Sequence, residues 1–245
     1  MEIGSGATAA LILGFLLGIK HATDADHVVA VSTIVSEYRN AWRGIWIGAS
    51  WGLGHTTPLL IAGISILLLK DPAAQLYEDY AAFLEFGVGI MLLFLGLQVF
   101  WNFRRRRIHA HEHEHQEDPH SHLHTHELAT APGSHHGFFQ PGKPFFRLKS
   151  YVVGVVHGLA GSAAVMLVVL TTEAVSSFMV GLFYILVFGV GTILSMGGIT
   201  LLMGIPFSIS GRFERVNRAI AGVAGTASIV FGLFLMYELA IVEGL

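Results

Sequence analysis

The sequence predicts an all-α integral membrane protein with six transmembrane helices, arranged as two inverted three-helix repeats. Three observations predict it: the composition, the alternation of apolar runs with basic loops, and a self-similarity at a shift of about 136 positions. Of 245 residues, 53% are hydrophobic and 13% charged. Soluble domains carry roughly 25% charge. The balance excludes a disordered chain and argues against a water-soluble globule. There is no Cys, which excludes a disulfide framework, an iron–sulfur cluster and a thiolate zinc site. A net charge of −3 offers no basic surface for nucleic acid, so no nucleic-acid partner is expected.

A spanning helix needs about 20 mainly apolar residues. The first such run extends from about Ala7 to Val35, the second from Trp42 to Leu69, the third from Tyr80 to Phe103. The fourth extends from Tyr151 to Thr171, the fifth from Phe178 to Met203, the sixth from Val216 to Leu239. The first run lacks a basic flank and continues through charged residues, which speaks against a cleaved signal peptide. Arg39 and Arg43 lie between runs one and two, Arg104 to Arg107, Lys143, Arg147 and Lys149 between three and four, and Arg212, Arg215 and Arg218 between five and six. Twelve of the fourteen basic residues thus fall on one side, which the positive-inside rule makes cytoplasmic. Both termini are then expected outside a multi-pass cell-membrane protein.

Between the third and fourth runs the material changes. Residues 104–149 hold four of the seven prolines and ten of the fourteen histidines. His109, His111, His113 and His115 recur at every second position, as do His120, His122, His124 and His126, and His135 and His136 close the series. A tract this polar cannot bury a core and is expected to be a mobile cytoplasmic loop. Three parts follow: a first repeat over 1–103, the His-rich loop over 104–149, and a second repeat over 150–245.

Shifting the chain by about 136 places Gly18-Ile19-Lys20-His21-Ala22 on Gly154-Val155-Val156-His157-Gly158. Gly89 falls on Gly225 and Gly96 on Gly232, while Gly52 and Gly54 meet Gly189 and Gly191 one residue out. Three spans per half force the halves into opposite orientations. A pseudo-two-fold axis then lies in the membrane plane, with a binding site near the midplane where the halves meet.

Four histidines lie inside the runs: His21, His27, His55 and His157. Asp24 and Asp26 accompany the first two in Lys20-His21-Ala22-Thr23-Asp24-Ala25-Asp26-His27. A carboxylate near a helix centre costs about 2.5–3.5 kcal/mol on insertion scales, so a compensating role is required. On a continuous helix, His21, Asp24 and His27 share a face and Asp26 points elsewhere. An unwound segment lets all four converge, and a run of this length has room for one. His55 precedes Thr56-Thr57-Pro58, and Pro58 leaves the carbonyl of Gly54 without its helical donor. The repeat sets His157 on His21 and can return it to the same centre. Asp24 could simply neutralise Lys20, but so many ionisable groups in one apolar run point to metal or proton handling. Imidazole and carboxylate without thiolate suit divalent nickel, cobalt, zinc, iron or manganese.

At these residues the chain resembles the nickel/cobalt permease (NiCoT) family. The family signature, His followed by four residues and Asp-His on an early transmembrane helix, matches His21, Asp26 and His27, and Asp24 fits its longer form. A second motif, Leu-Gly-His before small hydroxylated residues, matches Leu53-Gly54-His55-Thr56-Thr57. The Gly-x-x-His-Gly of Gly154 to Gly158 is similar to the shorter, urease-associated nickel permease branch. The resemblance implies that His21, Asp26, His27 and His55 bind the metal during selection and transport.

The combined reading is a secondary transporter for nickel, and for cobalt as a second cargo, with a metal site of His21, Asp24, Asp26, His27, His55 and His157. The chain carries no P-loop. Export is the alternative direction. An intramembrane metal enzyme is a weaker alternative, because no His-Glu-x-x-His or clustered His boxes occur in the runs, and a metal sensor or buffer is a third. No cofactor is expected, the metal being cargo. The expected partners are the divalent ion, the bilayer and cytoplasmic metallochaperones.

Overall fold

The computed structural model describes residues 5–36, 41–105, 110–113, 120–123, 146–159, 169–170, 175, 177–209, 213–242 and 244. Its helices are α1 (Ser5–His21), α2 (Ala25–Val35), α3 (Ala41–Leu69), α4 (Asp71–Arg105), α5 (Leu148–Gly158), α6 (Phe178–Ile209) and α7 (Glu214–Tyr237). A π turn, Glu238–Val242, extends α7. Among the described residues, four helical segments are long and apolar enough to cross a membrane: Gly44–Leu69, Pro72–Arg105, Phe178–Ile209 and Arg215–Val242. The bent pair Gly6–His21 and Ala25–Val35 makes a fifth. Of the fourth expected span, the first part is α5, and residues 160–168 lie outside the described residues.

The first span is broken rather than continuous. α1 and α2 meet at 54° across Ala22, Thr23 and Asp24. The amides of Thr23 and Asp24 donate to the carbonyls of Lys20 and His21, three residues back, in place of the four-residue pattern. Thr and Asp favour such breaks because their side chains compete for backbone groups. Here the Thr23 hydroxyl donates to the Lys20 carbonyl at 2.6 Å. Asp24 then starts α2 from extended backbone (φ −61°, ψ 147°), although its side chain makes no capping bond. α3, by contrast, runs unbroken through Pro58. The turn from α3 to α4 is a single residue, Lys70, at φ 53°.

α3 packs on α5 and α6, α1 on α6, and α4 on α7. Lipid supplies no hydrophobic drive between helices, so close backbone approach and interhelical hydrogen bonds hold them. The Ser228 hydroxyl of α7 donates to the Leu92 carbonyl of α4 at 2.7 Å. Thr192 of α6 donates to the Gly18 carbonyl of α1 at 3.3 Å. Two apolar clusters form, one around Val31, Ile47, Trp51, Leu92 and Met196, the other around Leu59, Leu170, Tyr184 and Phe188.

The His-rich tract departs from the all-α expectation in one place. Ala110–His113 (β1) and His120–Leu123 (β2) form an antiparallel two-stranded ribbon. The other loop histidines, His109, His115, His124, His126, His135 and His136, lie outside the described residues.

Candidate metal site

The helix break delivers side chains that a straight helix would separate. His21 ends α1, and Asp26 and His27 lie in the first turn of α2. His55 is carried by α3 and His157 by α5. Ring centroids of His21 lie 4.6 Å from His27 and 4.8 Å from His55. Those of His27 lie 4.9 Å from His55 and 4.1 Å from His157. His27, His55 and His157 are fully buried and His21 is 4% exposed. The stacked ring of Trp51, from one apolar cluster, lies 6.1 Å from His27. Phe188, from the other, lies 5.7 Å from His21.

The hydrogen bonds determine which nitrogens carry protons. A carboxylate only accepts, so His21 Nδ1–H donates to Asp24 Oδ2 at 3.0 Å. The His21–His55 bond joins the two Nε2 atoms at 2.7 Å. With its proton on Nδ1, neutral His21 accepts there and His55 Nε2–H donates. Asp26 is shared: His27 Nδ1–H donates to its Oδ1 at 2.9 Å, and His157 Nε2–H to its Oδ2 at 2.8 Å. The backbone amide of His27 also donates to Oδ1. Both nitrogens of His21 are thus engaged, and each of the other three rings is left with one bare nitrogen. Those of His27 (Nε2), His55 (Nδ1) and His157 (Nδ1) are buried and have no hydrogen-bond partner. Carboxylates that fix the tautomer of an imidazole and leave its other nitrogen free are the usual outer partners of metal-binding histidines.

Two overlapping triplets have ligand atoms within 4.8 Å of one another: His21, His27 and His55, and Asp26, His27 and His157. His27 belongs to both. The structure therefore gathers His21, Asp26, His27, His55 and His157, and draws Asp24 in behind His21. Of the two readings open from the sequence, the unwound one applies, and Asp26 joins the cluster. Asp24 does neutralise Lys20, with Oδ1 and Nζ 2.8 Å apart, but its second oxygen faces His21. Sequence reasoning did not find the bridge from Asp26 to His157, 131 residues apart. It also missed the walls made by Trp51 and Phe188. Trp51 and Phe188 directly precede Gly52 and Gly189, which the internal repeat aligns, a signal that could have pointed to them as a pair.

Imidazoles and carboxylates gathered inside a multi-pass helical protein define a class: membrane proteins able to hold a transition-metal ion within the bilayer. The comparisons name the family. The model of NicO, described as high-affinity nickel-transport protein, matches residues 7–237, and the chain belongs to this nickel-transport family. It is a family of transporters, not enzymes, and nickel is the cargo rather than a resident cofactor. The urease accessory protein UreH of Bacillus sp. (strain TB-90) is 43% identical over 96% of this chain and 93% of its own length. The Arabidopsis thaliana chloroplast protein FOR GROWTH AND FERTILITY 1 is 26% identical over 94% of this chain and 59% of its own. The high-affinity nickel transport protein of Cupriavidus necator is 32% identical over 36% of this chain and 25% of its own. No solved structure matches the chain.

Proposed function

We propose that the protein carries nickel into the cell as a secondary permease, and that the ion passes through the cluster of His21, Asp24, Asp26, His27, His55 and His157. The observation that carries this reading is the set of three buried, unpartnered imidazole nitrogens. Leaving a buried polar atom unpaired costs about 1–3 kcal/mol. Three such atoms, on rings whose centroids lie 4.1, 4.9 and 5.8 Å apart and each on a ring whose other nitrogen is engaged, suit a cation that visits and leaves. Asp24 and Asp26 hold the rings and supply charge that offsets the dication. The ligand chemistry admits cobalt as a second cargo. The name of the 43% identical relative points to a urease as the user of the nickel, and cytoplasmic metallochaperones would be the carriers.

Access would switch by rocking of two inverted halves, residues 1–103 and 150–245. Packing supports the symmetry. A two-fold exchange maps the α1–α6 contact onto α5–α3. A Cβ on Gly18 would strike the Phe188 carbonyl, and one on Gly154 would strike the Trp51 carbonyl. Gly96 lies against Gly225, and Gly232 against Gly89, a pair of contacts that the exchange interconverts. The basic residues orient the termini outward and residues 104–149 to the cytoplasm, where the histidines would collect and buffer metal.

Radiolabelled nickel flux into vesicles reconstituted with the protein, under imposed pH and voltage gradients, tests the reading. His27→Ala should abolish flux while the purified variant keeps its helical circular dichroism. A normal rate in that variant overturns the site. Net movement out of the cytoplasmic side under an inward nickel gradient overturns the direction.

A further inference from the structure

Lys20 is 72% exposed, yet it lies beside the most buried part of the molecule. Its depth follows from His55, the middle residue of the 29-residue α3, to which neighbouring His21 is hydrogen-bonded at 2.7 Å. Half of a hydrocarbon core is about 15 Å, beyond the reach of a lysine stem. The ammonium does not snorkel to the interface in any case, since Nζ is held 2.8 Å from Asp24 Oδ1. Thr23 and Ala25 beside it are exposed as well. An ammonium and a partly exposed carboxylate cannot face lipid at this depth without a large penalty. The exposed surface at the break is therefore wet. From it a hydrogen-bonded chain leads inward, from Lys20 to Asp24, then His21, then His55.

We propose that the α1–α2 break opens on a water-filled vestibule through which the divalent ion reaches the buried imidazoles, and that Lys20 is a tethered cation which the ion displaces from Asp24. This rests on the nickel-permease reading and adds a route and a selectivity device to it. A monovalent ammonium on a short leash competes with cations at the mouth, and only an ion of higher charge that can also take nitrogen ligands displaces it with net gain. The device raises the concentration of nickel needed for uptake and screens out monovalent cations.

The absence of Cys makes the test direct. Single Thr23→Cys and Ala25→Cys variants, both at exposed positions that supply no metal ligand, are treated in vesicles with a quaternary-ammonium methanethiosulfonate applied to both faces. Leu16→Cys, on the exposed apolar face of α1, is the lipid-facing control. The thiolate, which forms only in water, attacks the reagent's sulfenyl sulfur and expels methanesulfinate, so the break variants should react roughly tenfold or more faster than the control. Nickel should slow that reaction, and modification should stop nickel flux. Lys20→Gln should lower the KM for nickel by roughly 1.5- to 5-fold, the equivalent of one exposed ion pair. Reaction of both break variants as slowly as Leu16→Cys, as when lipid or a second copy covers the surface, overturns the vestibule. Fast reaction without nickel protection or loss of flux overturns the route, and an unchanged or raised KM in Lys20→Gln overturns the tethered cation. The labelling contrast does not depend on nickel transport. Failure of the permease reading would show as the labelling contrast together with no nickel flux in the protein without Cys substitutions, whereas failure of the vestibule would show as nickel flux with no contrast.

Discussion

Asp26 accepts from two imidazoles on different helices, His27 on α2 and His157 on α5. Both oxygens must therefore be acceptors. In Asp26→Asn one of them becomes an NH2 donor facing a ring N–H, and that ring must flip its tautomer or lose its partner. Its bare nitrogen is then protonated or misaimed. Loss of such an outer partner typically costs about 10–100-fold in metal affinity. Asp26→Asn should raise the KM for nickel within that range, measured by flux against nickel concentration. Asp24→Asn should do less, because Asp24 faces one ring and its other oxygen serves Lys20. Equal effects of the two substitutions would show that the carboxylates act as charge alone.

At the scale of elements, small residues decide how closely helices approach. A Cβ at Gly154 of α5 would enter the backbone and indole of Trp51 on α3, the residue that walls the imidazole cluster. Gly154→Ala must push α5 off α3, and His157 travels with α5. Overpacking of this kind costs about 1–3 kcal/mol. The variant should melt at a lower temperature in detergent and bind nickel more weakly. Gly87 in α4 has open space around its Cβ position, and Ala is favoured over Gly in helix interiors by about 1 kcal/mol. Gly87→Ala should leave the melting temperature unchanged or raise it. Parallel melting of the two variants separates close packing from the general effect of removing a glycine.

For the whole molecule, the His-rich segment supplies none of the residues of the imidazole cluster. The imidazole cluster draws its residues from α1, α2, α3 and α5, all outside residues 108–136. Deleting those residues should leave the helical body folded and nickel flux measurable. The number of nickel ions bound per protein should fall, and the dependence of flux on nickel concentration should change, because neutral imidazoles bind divalent ions. Equilibrium dialysis with nickel checks the stoichiometry and vesicle flux the kinetics. Complete loss of nickel binding would move the principal site into the loop, and no change in either quantity would reduce the loop to a solvated connection.

Much of the body was legible in the sequence because lipid imposes simple rules. Apolar length marks a span, and α3 and α6 begin within a residue of where the sequence places them. Local polarity also marked the site, since His21, Asp24, Asp26 and His27 are costly inside an apolar run wherever it folds. The sequence left two geometries open for that run, and the tertiary structure decided between them. Competition of Thr23 and Asp24 for backbone groups permits the break, but only packing against α3 and α5 gives the unwound form its partners. The meeting of Asp26 with His157 could not be read from either segment alone. It depends on where α5 lies against α3, set by the glycine contacts at Gly154 and Gly158. The extra turns of α4 before Tyr80 were equally hidden, because Glu78 and Asp79 lower the hydropathy there without disfavouring a helix. Sequence thus determined which residues are too polar for their surroundings, because that penalty is local. Only the tertiary structure determined which of them share protons and which nitrogens are left bare, because hydrogen bonds are directional and their partners come from different helices.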